Sequence, residues 1–402
     1  MFLNFKIKNF LSIKDEYKID FSVNKSQQID NTSEKLLNNY INKINCIVGP
    51  NASGKTNILR AFVSFAWFID QSYIMKDPII FEPHFFNKDK NTFFSTEFVE
   101  KNNQYSYEIE LNKNKVIKER LRRLNIKTNR YNEVYSRNLN KVNTSSDLQI
   151  NQADLIRLSG DVSFFSFLKN LNYFKQKNIE IDIFSKVLSN VIPFHFYGVT
   201  KPTFLAMTEI SNQLAEDEIL KNIVAEEIRK IDVGVDDVFL FDAKQRIKEE
   251  GKDTADLEKN TKILGTIHRS EGKQAFLPIF DASEGTANYI SLFVKVHDIL
   301  ERGGILVADE LENSLHIDLV ERILNLFMKK ETNPLNAQIL FTTHNPWFLQ
   351  YLTKTQIFIS EKTSQCTDVF RLDDVKSVRN DENYFMKYIA GEYDGKPKIK
   401  EV

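Results

Sequence analysis

The sequence predicts an α/β protein with a mixed central sheet, an antiparallel β lobe at the amino-terminal side and a largely helical insertion. Three observations carry this. Short apolar runs at Asn45-Cys46-Ile47-Val48, Gly304 to Ala308 and Gln338 to Phe341 have the length and branched content of strands buried on both faces, as in a parallel sheet. Apolar and polar residues alternate over Phe2 to Lys8 and again over Tyr17 to Phe21, the pattern of half-buried strands. From about Leu121 to Lys262 the chain turns to polar, Asn- and Lys-rich segments interspersed with helical ones such as Leu214 to Ile231. The borders that follow are a first lobe at residues 1–120, an insertion at 121–262 and a second lobe at 263–402.

Taken in order, the two alternating segments are expected to pair. Ile44 to Val48 then enters a glycine-bearing loop, Gly49 to Thr56. Thr56 to Asp70 follows as a helix, with Ile58, Leu59, Phe62, Phe65, Ala66 and Ile69 on a wide inward face. Thr96 to Glu100, Gln104 to Leu111 and Val116 to Arg123 read as a meander, with turns at Lys101-Asn102-Asn103 and Asn112-Lys113-Asn114. Lys244 to Lys262 is almost wholly charged or polar and reads as a solvated helix or a mobile loop. Ile263 to Arg269 and Gln274 to Ile279 flank Ser270-Glu271-Gly272-Lys273 as a hairpin, and Ala287 to Leu300 is helix-like. No internal repeat and no sustained heptad pattern is present.

Composition excludes several classes. Among 402 residues, 54 Lys and Arg balance 55 Asp and Glu, so no global cationic field recruits nucleic acid or an anionic membrane. Two cysteines, Cys46 and Cys366, make no disulfide framework; Cys46 falls in a predicted buried strand, which reads as a reducing cytoplasm. The longest apolar stretch, Ala61 to Ile69, is far short of the roughly 20 residues a membrane helix needs. Lys6 and Lys8 interrupt any signal-peptide core, so a cytoplasmic protein without membrane contact is expected.

The candidate chemistry lies where the apolar runs end. Gly49-Pro50-Asn51-Ala52-Ser53-Gly54-Lys55-Thr56 fits GxxxxGK[ST] between a strand and a helix. In such a loop the backbone N–H groups wrap phosphates, Lys55 reaches the β/γ-phosphates and the Thr56 hydroxyl holds Mg²⁺. The following helix presents its positive dipole end to the same phosphates. Asp309-Glu310, after Ile305 to Ala308, suits a division of labour: Asp309 orients Mg²⁺ through water and Glu310 polarises the attacking water. Alone, such a pair is as well read as surface charge. His344, after Phe341-Thr342-Thr343, is placed to hydrogen-bond a γ-phosphate or the attacking water. His316 either caps the next helix or touches a neighbouring nucleotide. Ser283-Glu284-Gly285-Thr286 opens a helix and suits an anion, although in isolation a plain helix cap is the better reading. Together these segments indicate ATP hydrolysis.

In this order, phosphate loop, Ser-x-Gly-Thr, Asp-Glu strand and strand-end histidine resemble the ABC-type P-loop NTPase heads of the SMC, RecF and OLD families, as does the opening Ile7-Lys8-Asn9-Phe10-Leu11-Ser12-Ile13. Asp309-Glu310-Leu311-Glu312-Asn313-Ser314-Leu315-His316 and the ending Tyr388 to Ile399, with Gly391, Tyr393, Gly395 and Pro397, look most like the RloA and AbiL-type AAA family ATPases of bacterial phage defence. The resemblance covers both ends of the chain; the insertion matches by position only. It implies an ATP sandwich, a homodimer or a higher oligomer in which the phosphate loop of one subunit closes on Ser283, Gly285 and Thr286 of another. By the same resemblance Glu310 is the catalytic base, His344 the switch histidine, and Glu312, Asn313 and Ser314 the loop that crosses to the opposite site. Glu284 stands where a glycine is usual and no leucine precedes Ser283, which argues against fast turnover and transporter coupling.

The function expected is an ATPase using ATP and Mg²⁺ to control a separately encoded effector, a Toprim-related, RloB-like nuclease, in anti-phage defence. The segment after His344 is too short for the Toprim domain that OLD proteins carry there, so no nuclease is expected within the chain. The competing reading is a RecF- or SMC-like DNA-binding ATPase of repair, which predicts salt-sensitive DNA binding; nucleic acid thus remains a candidate partner.

Overall fold

Val48, Ala308 and Thr343 end the three strands that the apolar runs predict, all in one sheet. The computed structural model describes residues 1–23, 32–37, 39–75, 78–79, 81–146, 148, 150–171, 179–194, 204–232, 234–247 and 257–393. In chain order the elements are β1 (Phe2–Lys8), β2 (Tyr17–Asp20), β3 (Ser22–Val23), β4 (Ser33–Leu36), β5 (Asn39–Asn42), β6 (Ile44–Val48), α1 (Lys55–Gln71), β7 (Thr92–Glu100), β8 (Asn103–Leu111), β9 (Val116–Asn125), β10 (Arg130–Asn138) and β11 (Lys141–Thr144). There follow α2 (Gln152–Leu155), α3 (Phe164–Asn170), α4 (Ile179–Ser189), β12 (Val191–Phe194), α5 (Phe204–Glu216), α6 (Glu218–Ile231), β13 (Asp237–Ile247), β14 (Leu257–Ser270) and β15 (Lys273–Pro278). The chain closes with α7 (Glu284–Arg302), β16 (Ile305–Ala308), α8 (Ile317–Met328), β17 (Gln338–Thr343), β18 (Ile357–Thr363), β19 (Cys366–Arg371) and α9 (Tyr384–Ala390).

Contacts divide the chain into two units, Met1–Phe196 with Ile299–Leu311 and Asn325–Val402, and Tyr197–Asp298 with Glu312–Leu324. In the first unit a six-stranded sheet runs β12-β16-β17-β6-β18-β19; all its pairs are parallel except β18 with β19. Every residue of β6, β16 and β17 is buried, which is why these strands read as unbroken apolar runs. The register sets Thr343 beside Val48 and Ala308 beside Phe341, so the loops that leave these strands start from one sheet edge. A seven-stranded antiparallel sheet, β11-β10-β9-β8-β7-β1-β2, forms the second layer. Helix α1 packs against β1 of this sheet and against β12, β16 and β17 of the other. Its Phe62 ring lies 4.7 Å from Phe5 and 5.0 Å from Phe2, and Phe65 lies 5.9 Å from Phe94. Phe62 is fully buried, so Phe62→Ala is expected to cost about 3–5 kcal/mol.

The second unit contains α5, α6, the sheet β13-β14-β15 and the greater part of α7 and α8. Two expectations change here. Leu214 to Ile231 is not one helix: Asp217 breaks it, its carboxylate accepting the Leu220 N–H at 2.9 Å as the N-cap of α6. The polar segment Lys244 to Lys262, expected as helix or loop, is strand at both described ends, where β13 and β14 pair antiparallel; residues 248–256 lie outside the described residues. At the edge of that segment Lys262 meets Asp242 at 2.8 Å.

The region 121–262, expected to be largely helical, contains strands as well. It holds α2 to α6, but β9, β10 and β11 extend the antiparallel sheet into it and β12 joins the central sheet. The strand signal was diluted because one face is charged: Arg120 lies 3.4 Å from Glu108 on β8 and from Glu133 on β10. Of the carboxyl-terminal segment, Gly391 ends α9 with φ 85° and Tyr393 donates to Glu382 at 2.7 Å, whereas Gly395 and Pro397 lie outside the described residues. Among the described residues no helix is long and apolar enough to cross a membrane.

Candidate functional site

The loop from Gly49 to Gly54 leaves β6 and turns directly into α1. Gly54 is the N-cap of α1 with φ 103°, and a Cβ there would stand 1.9 Å from Thr367 Oγ1, so only glycine makes this turn. Ala52, with φ 63°, is also left-handed, giving the loop its tight curl. Strands β18 and β19 brace the loop from behind: the carbonyl of Ser53 accepts from Thr367 Oγ1 at 3.0 Å and from Ser360 Oγ at 3.3 Å. Ser53 Oγ is buried and has no hydrogen-bond partner among the described residues. A cleft of about 700 Å³ opens over the loop, lined by Asn51 to Asn57 together with Ser12, Glu310, His344 and Lys362.

Lys55, only 4% exposed, donates to the carbonyls of Gly49 at 2.8 Å and Pro50 at 3.1 Å, and its Nζ lies 3.2 Å from His344 Nδ1. An ammonium has only donors, so Nδ1 accepts and the imidazole proton sits on Nε2. Nε2 stands 3.0 Å from Glu310 Oε1. Lys55, His344 and Glu310 thus form one hydrogen-bonded chain across the cleft, which fixes the histidine tautomer and aims the carboxylate. Glu310 itself has φ 48°, an uncommon conformation for a glutamate, held by its N–H donating to Thr342 Oγ1 at 2.7 Å.

Asp309 is buried and its Oδ1 accepts from Thr342 Oγ1 at 2.6 Å and from Thr56 Oγ1 at 3.1 Å. A hydroxyl and a carboxylate side by side are the all-oxygen donors a hard divalent cation takes, so Thr56 and Asp309 fit Mg²⁺. The first unit therefore brings together the phosphate loop, Asp309, Glu310 and His344.

The other predicted residues belong to the second unit. Ser283 caps α7, its Oγ accepting the Thr286 N–H at 3.0 Å, and Thr286 Oγ1 donates to Asp232 at 2.7 Å. Glu312 to Ser314 form the turn before α8, and Ser314, with φ 59°, donates from Oγ to Glu284 Oε1 at 3.1 Å. Gly285 lies against this turn: a Cβ there would come within 3.1 Å of the Ser314 carbonyl. His316 is exposed, and its Nδ1 accepts the Asp318 N–H at 3.3 Å, the capping alternative.

Several residues of the site had no advance reading. Thr342 holds both acids, yet a threonine inside an apolar strand looks like ordinary β-propensity. Ser12, 2.6 Å from Thr367 and accepting from Asn57 at 2.7 Å, belonged to a segment noted only as a whole. Ser360, Lys362 and Thr367 come from β18 and β19, which carry no motif. Asn57, next to Thr56, was the one residue whose position offered a signal.

A phosphate-binding loop at the carboxyl edge of a parallel sheet, facing an acidic pair that follows β16, the next strand but one, defines a P-loop ATPase. The chain belongs to the family described as "AAA domain, putative AbiEii toxin, Type IV TA system", whose model matches residues 44–349. Membership implies nucleotide binding. Among solved structures, the SMC head domain from Thermotoga maritima is similar at 12% identity, over 92% of this chain and 98% of that one, with a TM-score of 0.41. No curated protein matches the chain. The class assignment rests on the strand order and loop of this chain.

Proposed function

We propose that this protein is an ABC-type ATPase of the RloA and AbiL kind that binds ATP with Mg²⁺ and closes as an ATP-sandwich dimer in the cytoplasm. In that state it controls a separately encoded effector, a Toprim-related, RloB-like nuclease, in anti-phage defence. The observation that carries the ATPase reading is the chain from Lys55 through His344 to Glu310 across the cleft. Backbone N–H groups of Asn51 to Thr56 and the Lys55 ammonium take the phosphates. Thr56 and Asp309 would hold Mg²⁺, which would supply neutralisation of phosphate charge. Glu310 accepts a proton from the attacking water, and His344, a donor at Nε2, senses whether that carboxylate and the phosphate are in place.

Ser283, Gly285 and Thr286 at the start of α7, with Glu312 to Ser314, complete the opposite subunit's site. The family description names a toxin of a type IV toxin–antitoxin system, which favours a role in defence over housekeeping repair. The basic strand β9 gives DNA little field, because Lys118, Arg120 and Arg122 all face carboxylates of β8 or β10. The test is the mass of Glu310→Gln protein at micromolar concentration with and without Mg-ATP, by light scattering. A dimer that forms only with Mg-ATP is expected; an assembly indifferent to ATP would overturn the sandwich. A pull-down from native cells that recovers no Toprim-like protein would count against the effector.

A further inference from the structure

Glu284 places an anionic side chain in the turn that the proposed composite site offers to phosphate, and no step of the chemistry uses it. The geometry gives it a different task. Its Oε1 accepts from Ser314 Oγ at 3.1 Å; the other acceptor near that hydroxyl, Asn313 Oδ1, is 3.5 Å away and contributes little. Ser314 is a non-glycine residue with φ 59°, a conformation that persists only where neighbouring contacts hold it. The main chain at the same point is seated as well, since the Ser314 carbonyl backs Gly285 so closely that a Cβ would be 3.1 Å away. Opposite this contact, Thr286 is tied to Asp232, the residue that ends α6. The turn at 283–286 is therefore held on one side by the crossing loop and on the other by the insertion.

We propose that Glu284 is a positioning residue that latches the crossing loop, through Ser314, to the turn carrying Ser283 and Gly285. The two segments that complete the opposite subunit's site then move as one element. The carboxylate acts by spending a lone pair on the Ser314 hydroxyl, and an amide oxygen serves as well. This rests on the composite-site reading above.

The test uses full-length Glu310→Gln protein as parent and adds Glu284→Ala, Glu284→Gln, Ser314→Ala and the pair Glu284→Ala with Ser314→Ala. Two quantities are read: amide hydrogen exchange over residues 312–316 without nucleotide, and the protein concentration at which Mg-ATP drives half of the chains into dimers. Glu284→Ala and Ser314→Ala are each expected to speed exchange in the loop and to raise the dimerisation midpoint about threefold to tenfold. The pair should do no more than the stronger single change, and Glu284→Gln should behave as the parent. Nucleotide binding by the monomer and the thermal midpoint should not move, as a merely structural role would require them to. Unchanged loop exchange in Glu284→Ala would overturn the latch. So would effects that multiply in the pair, or a Glu284→Gln protein as impaired as Glu284→Ala. A parent that fails to dimerise with Mg-ATP would instead overturn the composite site, an outcome distinct from the loop exchange, which needs no partner.

Discussion

The phosphate-loop edge of the first unit and the turn at 283–286 of the second are held by different physics. The former hangs from strands buried along their full length, and its acids register on a single buried hydroxyl, that of Thr342. The latter is set by a helix cap and by side-chain hydrogen bonds, Ser283 to its own helix, the buried Thr286 to Asp232 and, at the surface, Ser314 to Glu284. A buried sheet edge resists displacement because every shift breaks close packing. A surface turn held by hydrogen bonds that water can replace is cheap to move.

Four changes sharpen or break this contrast. Largest is Glu310→Gln, expected to keep ATP binding while slowing hydrolysis by about 10²- to 10⁴-fold, the usual worth of a general base. Unaltered turnover would remove Glu310 from the mechanism. Ser283→Arg comes next. It should leave monomer nucleotide binding intact and abolish ATP-driven dimerisation at micromolar concentration, and a mutant that still pairs would mean that the two regions do not complete one another. Thr342→Val retains the shape of the strand but strips Asp309 and the Glu310 N–H of their common partner. Turnover should fall about 10- to 100-fold through misplacement of both acids, and a normal rate would show that the buried edge does not depend on this hydroxyl.

The smallest effect concerns Glu227, a buried carboxylate of the second unit. Burial pushes the Glu227 carboxyl upward, but hydrogen bonds from Arg322 and Tyr289 outweigh it and hold the group below the usual glutamate value. A depressed folded value gives stability that is complete above the unfolded pKa, about 4.3, and is lost as pH falls through the folded one. Glu227→Ala should therefore cost about 1–3 kcal/mol at neutral pH in urea unfolding, because it strands a buried tyrosine hydroxyl and an arginine. That difference should shrink below pH 4. A mutant penalty that stays constant through the acid range would mean that the ion pair is not the source.

Much of the first unit was readable beforehand because its signals are local. The phosphate loop needs its glycines and lysine at fixed spacing, and fully buried parallel strands need unbroken apolar runs, so β6, β16 and β17 announced themselves. The positions of β10 and β11 were not readable, since strands whose outer face is charged look like polar loop until their partners are known. The same holds for the polar ends of β13 and β14, which pair through backbone groups that any residue carries, whereas Ile263 to Arg269 of β14 was readable as one arm of its hairpin with β15. Within the site, Thr342, Ser12 and Thr367 were silent because their importance lies in what stands opposite them.

The sequence by itself determined the chemical inventory: a phosphate loop, an acidic pair, a strand-end histidine and a Ser-x-Gly-Thr helix start, together with the α/β class. The tertiary structure alone decided that Lys55, His344 and Glu310 form one hydrogen-bonded chain, that Thr342 anchors both acids, and that Glu284 meets Ser314. The physical reason is range. Motif spacing records what a residue needs from its chain neighbours, whereas hydrogen bonds between residues far apart in the chain exist only once packing has brought their elements together.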